Sequence, residues 1–126
     1  MRHVLVVDDE TDLLEAICET LEAEGYSTSR ASNGSEALDR LRTVPTCLVL
    51  LDLTMPVMNG EQAFERLRHI RPDVRVVLTS GYDEADATGR FRGASLAGFI
   101  QKPYTSAKLA QCIKRVFERA NSADGG

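Results

Sequence analysis

The sequence predicts an α/β fold, a doubly wound sheet of five parallel strands with helices on both faces, from three observations. Strand-like apolar runs alternate with helix-period segments from end to end. The runs at residues 4–7, 48–51 and 76–78 are aliphatic throughout, as strands covered on both faces are, instead of alternating with polar residues. A further strand-like segment, 26–31, is polar and alternating and suits a sheet edge. With the apolar strands central, that segment at an edge and right-handed crossovers between them, the strand order becomes 2-1-3-4-5.

Each element has its own local signal. The first strand runs into Asp8-Asp9, and Leu14, Ile17, Cys18 and Leu21 then recur at helical spacing. Gly25 supplies a left-handed stop. After the edge strand, Asn33-Gly34-Ser35 turns into the second helix, with Ser35 as its N-cap and Ala37, Leu38 and Leu41 inward. Pro45 closes that helix before the third strand, which ends on Asp52. Residues 55–60 form a loop, and Ala63, Phe64, Leu67 and Ile70 face inward from the third helix.

Pro72-Asp73 turns into the fourth strand, which ends on Ser80-Gly81. Between residues 83 and 98, Gly89, Gly93 and Gly98 each weaken a helix interior by about 1 kcal/mol relative to alanine, so the helix there is short or irregular. The fifth strand, 99–101, runs into Lys102-Pro103. Thr105 then caps a last helix carrying Leu109, Cys112, Ile113, Val116 and Phe117 on one side. Residues 121–126 are small and polar and read as a flexible tail, leaving one domain over 1–120 with no repeat.

Bulk properties exclude several function classes. The 126 residues are enough for one real core. A net charge of −4 gives no basic stripe to displace counterions from nucleic acid or to hold an anionic membrane. No run approaches the roughly 18 apolar residues of a bilayer span, and no signal sequence opens the chain, which predicts a cytoplasmic protein. Cys18, Cys47 and Cys112 are scattered among apolar neighbours, as small core residues in a reducing compartment are; paired zinc ligands are absent.

The chemistry gathers at the strand ends. In an open parallel sheet the reactive crevice lies outside the carboxyl ends of the strands, at the switch point, here between the first and third. Asp8, Asp9 and Asp52 meet there. Two like charges about 4 Å apart repel by on the order of 4 kcal/mol at an effective dielectric of 20. A divalent cation offsets this most simply, and few carboxylates, room for water and a phosphate partner suit Mg2+ better than Ca2+. Ser80 and Lys102 arrive at the same edge, and a lysine there can pair with a carboxylate or with phosphate oxygens.

The segments Val6-Val7-Asp8-Asp9-Glu10, Leu51-Asp52-Leu53-Thr54-Met55-Pro56 with Gly60, Thr79-Ser80-Gly81 and Phe99-Ile100-Gln101-Lys102-Pro103 resemble the receiver domain of bacterial two-component response regulators. The resemblance spans Val4 to about Ala120 and implies a flavodoxin-like fold. It implies that Asp52 takes a phosphoryl group from a phosphohistidine on a histidine kinase or histidine phosphotransfer domain. Asp9 directly and Asp8 partly through water would hold Mg2+, with Asp52 and the Thr54 carbonyl completing the set. Ser80 would hydrogen-bond a phosphoryl oxygen, Lys102 would pair with the acid and then the phosphate, and the Lys102–Pro103 bond would be cis.

By the same resemblance, Ser80 drawn toward phosphate leaves room for Phe99 to turn inward. The residue at this place is often tyrosine; phenylalanine keeps the steric switch without the hydroxyl. A phosphorylation-dependent dimer is a further implied assembly, and nucleic acid and membrane are not direct partners. The stretches Thr79-Ser80-Gly81-Tyr82-Asp83-Glu84 and Ala97-Gly98-Phe99-Ile100-Gln101-Lys102-Pro103-Tyr104 look most like receivers behind a hybrid sensor kinase, whose parent is membrane-attached; a single-domain regulator is the alternative.

An enzyme, an aspartyl-phosphate phosphatase or phosphotransferase, is the competing class. Haloacid-dehalogenase-type enzymes want an aspartate two positions beyond the nucleophile, where this chain has Thr54. A flavodoxin-like cofactor binder needs glycines and backbone donors after the first strand, where this chain is acidic. His3 and His69 read as a strand-start and a surface residue, not relay histidines. Ser80 is preferred over Thr79 for its distance from Lys102 and the following Gly81, whose open space implies water access and a short-lived phosphoryl group. Arg90, Phe91 and Arg92 form either a solvated basic face or a partner surface.

Overall fold

The computed structural model describes residues 2–52, 60–81 and 96–125. Five strands, β1 (His3–Val7), β2 (Ser27–Ala31), β3 (Leu48–Asp52), β4 (Arg75–Ser80) and β5 (Gly98–Gln101), form one sheet. The order is β2-β1-β3-β4-β5 and every pairing is parallel. Among the described residues four helices accompany it: α1 (Thr11–Ala23), α2 (Gly34–Thr43), α3 (Gly60–Ile70) and α4 (Ser106–Gly125). Of the stretch 83–98 expected to hold a short helix, residues 83–95 lie outside the described residues, as do Arg90, Phe91 and Arg92 within it and residues 55–59 of the expected 55–60 loop; Gly60, expected in that loop, instead opens α3, and Gly98 opens β5.

The aliphatic strands feed two cores. Leu5, Val7, Val49, Leu51, Val76 and Leu78 pack with Ala37, Leu38 and Leu41 of α2 and with Phe64 and Leu67 of α3. On the other face, Val4, Val6, Leu48, Leu50 and Val77 pack with Ile17 and Leu21 of α1 and with Leu109 and Ile113 of α4. Successive strand residues point to opposite faces, so a strand burying both faces must be apolar at every position. Each fully buried leucine stabilises the fold by roughly 1.5–3 kcal/mol relative to an exposed one. β2 is half-buried along most of its length, as an edge strand is.

Gly25 has φ +96° and closes α1 in a Schellman arrangement, in which the Tyr26 N–H donates to Leu21 O at 3.1 Å and the Gly25 N–H to Glu22 O at 3.0 Å. A Cβ at Gly25 would meet no atom within 4 Å. Gly25→Ala should therefore lose only backbone energy, about 1–2 kcal/mol for a left-handed alanine, read as a lower urea midpoint. An unchanged midpoint would show that the turn relaxes freely.

Two local expectations are corrected. Asn33, not Ser35, caps α2: its extended backbone lets Oδ1 accept from Glu36 N–H at 2.9 Å, which places Ser35 inside the first turn. The Glu36 carboxylate accepts in return from the Ser32 N–H and hydroxyl, both at 2.7 Å, closing the cap from both sides. Secondly, α4 continues to Gly125, through residues 121–125 that composition marks as a tail. A helix already nucleated gains a hydrogen bond per added residue, and nothing there is proline. Thr105 caps α4 as expected, its Oγ1 accepting from Lys108 N–H at 3.1 Å.

His3 joins β1 to the edge strand. Its Nδ1 lies 2.7 Å from Ser27 Oγ and its Nε2 2.6 Å from Ser29 Oγ, so the neutral ring donates to one hydroxyl and accepts from the other. Burial holds its pKa below the ordinary 6.5. A depressed pKa means that the unfolded chain binds the proton first. The stability tied to the neutral ring is complete above pH 6.5 and is lost as pH falls through the folded-state value. Urea midpoints should thus decline less steeply below pH 6.5 in His3→Gln than in the wild type; parallel declines would assign the acid sensitivity elsewhere.

Candidate functional site

Strand register brings the chemistry to one edge. Val7 pairs with Leu51, so Asp8 and Asp52 leave adjacent strands side by side. Asp52 pairs with Thr79 and Ser80 with Gln101, which sets Ser80 and Lys102 at the same level. The Lys102 N–H donates to Ser80 O at 2.7 Å, holding the start of the β5–α4 connection against the end of β4. The Lys102–Pro103 peptide is cis.

Asp8 and Asp52 are 1% and 2% exposed, while Asp9 is open to solvent. One carboxylate oxygen from each of the three lies within 4.8 Å of the others. Lys102 Nζ sits between the two buried acids, 3.2 Å from Asp8 Oδ2 and 3.5 Å from Asp52 Oδ2. Asp8 Oδ1 accepts from the Glu10 N–H at 2.9 Å, just ahead of α1. Burial alone would lower the Lys102 pKa, but the carboxylates of Asp52 and Asp8 outweigh it and raise the ammonium above its ordinary 10.5. Lys102 is therefore a fixed cation at neutral pH.

That single ammonium faces three acids, so negative charge is left over. The donor set, carboxylate oxygens with one solvent-facing member, suits a hard divalent cation that keeps several waters. Thr54 lies outside the described residues. Ser80 and Thr79 are both buried at the end of β4. Phe99, half-buried and opposite Leu78, packs against the core on the α2–α3 side. A Cβ on Gly81 would meet no atom within 4 Å among the described residues.

One residue of the site escaped sequence reading. Tyr104, two positions beyond Lys102, packs its side chain against the core on the α1–α4 side. Its hydroxyl is buried without a hydrogen-bond partner among the described residues. Burial, and then the negative charges of Asp8, Asp52 and Glu10, push its pKa well above that of an ordinary phenol. With Glu10, Leu13, Lys102 and Pro103 it lines a cleft of about 350 Å3. The only signal in the sequence is an aromatic hydroxyl near the lysine.

Known proteins agree with this architecture. Residues 4–114 match the family model described as the response regulator receiver domain. The chain is 30% identical to sporulation initiation phosphotransferase F of Bacillus subtilis over 112 residues, covering 89% of this chain and 90% of that protein. It is also 30% identical over 118 residues to the sensor kinase CckA of Brucella abortus, covering 92% of this chain but only 12% of the kinase. A receiver domain protein (CheY-like) from Methanospirillum hungatei superposes with a TM-score of 0.87 at 27% identity, over 97% of this chain and 98% of that one. With the family match spanning nearly every described element, the chain belongs to the response regulator receiver domains of two-component systems.

Proposed function

We propose that Asp52 is the phosphoacceptor of a two-component relay, taking a phosphoryl group from a phosphohistidine on a histidine kinase or histidine phosphotransfer domain. The observation that carries this reading is a buried carboxylate, 3.5 Å from a lysine ammonium, at the switch point of a parallel sheet. One Asp52 oxygen forms the new bond to phosphorus as the phosphorus–nitrogen bond breaks, and the imidazole nitrogen leaves with the electron pair. Such a transfer needs positioning and charge neutralisation more than covalent help. The Glu10 N–H and Lys102 hold Asp8 in place, and Lys102 stands ready to offset charge on the transferred oxygens.

Asp8, Asp9 and Asp52, with the Thr54 carbonyl, would hold Mg2+, which when bound offsets charge on the phosphoryl oxygens. Ser80 is the hydroxyl for a phosphoryl oxygen, and Phe99 the ring that follows its movement. The signalling unit spans residues 1–120 and works in the cytoplasm. No described helix is long and apolar enough to cross a membrane. Partner docking and phosphorylation-dependent dimerisation would transmit the change without direct contact to nucleic acid or lipid.

The chain acts as a signalling domain that modifies only itself, not as a turnover phosphatase; no observation favours that second class. Incubation with phosphoramidate and Mg2+ should add about 80 Da to the intact mass, the increment of one phosphoryl group. A mass that stays unchanged at saturating donor would refute the reading.

A further inference from the structure

β2 is tied to its neighbours on three sides and open on the fourth. Its pairing with β1 is regular along the whole strand, from His3 against Ser27 to Val7 against Ala31. On one face the His3 ring engages the hydroxyls of Ser27 and Ser29. On the other, Thr28 donates to Glu22 of α1, and Arg30 pairs with Glu15 of the same helix at 2.8 Å. The Ser27 N–H donates to Arg2 O and Ala31 O accepts from the Asp8 N–H, so the odd-numbered residues of β2 address β1. Thr28 and Arg30 therefore turn their backbone N–H and C=O groups outward, to the open edge of the sheet.

Such a row is a template for a further strand. The devices that usually blunt an edge are missing along β2. It has no proline, its register with β1 is unbroken, and its charged residue, Arg30, is drawn back onto α1. Among the described residues one side chain reaches the row: Arg40, exposed on α2, donates from Nε to Arg30 O at 3.2 Å. Glu36, one turn earlier on α2, attracts the same guanidinium.

We propose that Arg40 is an edge guard, which occupies the outward carbonyl of Arg30 and so keeps β2 from pairing with the β2 of a second copy of this chain. The strand fits itself in the antiparallel sense, about a two-fold axis at Ser29. In that register Thr28 of each copy lies opposite Arg30 of the other, and opposite residues of a hydrogen-bonded pair exchange both N–H···O bonds. Each guanidinium then faces a threonine, so the cations do not collide. The acceptor for each Thr28 N–H is the carbonyl that Arg40 holds, and pairing requires both copies to release it. Guarding needs neither Mg2+ nor a phosphoryl group, so it stands or falls apart from the role of Asp52.

Arg40→Met removes every donor and keeps the side-chain stem. The variant and the wild type are compared without Mg2+ or phosphodonor, by sedimentation velocity over a concentration series and by amide hydrogen exchange. The wild type should sediment as a monomer whose Thr28 and Arg30 amides exchange freely. The variant should form dimers with a dissociation constant at least about ten-fold below the wild-type value or its limit, because one competing hydrogen bond is lost from each copy. Its Thr28 and Arg30 amides should gain protection as concentration rises. A variant no more associated than the wild type overturns the proposal. So does a dimer whose Thr28 and Arg30 amides stay open, which places the contact on another face, or an open-ended polymer, which points to pairing of β2 with the β5 edge. A wild type already dimeric through protected Thr28 and Arg30 would show that Arg40 guards nothing.

Discussion

Asp52→Asn should abolish phosphorylation outright. Under conditions that give the wild type an adduct of about 80 Da, the variant's intact mass should stay at its starting value, since an amide oxygen is not a competent nucleophile here. The variant should still fold. Asp52 is 2% exposed and shares its ammonium partner with Asp8, so loss of one negative charge reduces repulsion in the crevice while the Asp8–Lys102 pair persists. Asp8 and Asp9 are carboxylates at the same edge and compete for the role of acceptor. An adduct persisting in Asp52→Asn would transfer it to one of them and dismantle the assignment.

The largest effect on stability is expected at Lys102. Lys102→Met leaves the Asp8 and Asp52 carboxylates buried side by side with no cation between them, and stranding a buried charge costs about 3 kcal/mol or more. The methionine stem preserves the packing of the lysine methylenes, so the loss reports charge. Mg2+ should recover part of the deficit, because it offsets the same acids; an equal Mg2+ effect on both chains would show that lysine and cation act independently. The wild type carries the complementary signature. Its raised Lys102 pKa gives stability that is complete below pH 10.5 and lost as pH rises through the folded-state value, and the variant should lack that alkaline loss. We expect Lys102→Met to accept phosphate poorly and to fail to relay the change, read as NMR shifts confined to the crevice after donor addition.

Local signals in the chain had unequal reach. The aliphatic runs and the helical spacing of Leu14, Ile17, Cys18 and Leu21 identified buried faces directly, because burial on both faces of a sheet leaves no position for a polar residue. The cap of α2 was misread by two residues. Asn33 and Ser35 are both good N-caps by composition, and the choice falls to whichever side chain reaches a free N–H, which depends on where the chain leaves β2. The end of α4 was misread because small polar residues carry weak preferences that an established helix overrides.

Tyr104 was invisible for a different reason. Nothing in its neighbours along the chain predicts that its hydroxyl is buried where the charges of Asp8 and Asp52, far away in sequence, act on it.

Strand order, the two helix layers and the gathering of Asp8, Asp9, Asp52, Ser80 and Lys102 at one edge were legible in the chain alone. Those follow from apolar periodicity and from the rule that parallel strands release their ends on the same side. The contacts within that edge belong to the folded chain: Lys102 between two buried carboxylates, Asp8 tied to the Glu10 N–H, and a buried phenol with no hydrogen-bond partner among the described residues. Which residues share an edge is settled by topology, whereas which atoms touch depends on register and rotamers set by packing across the whole core.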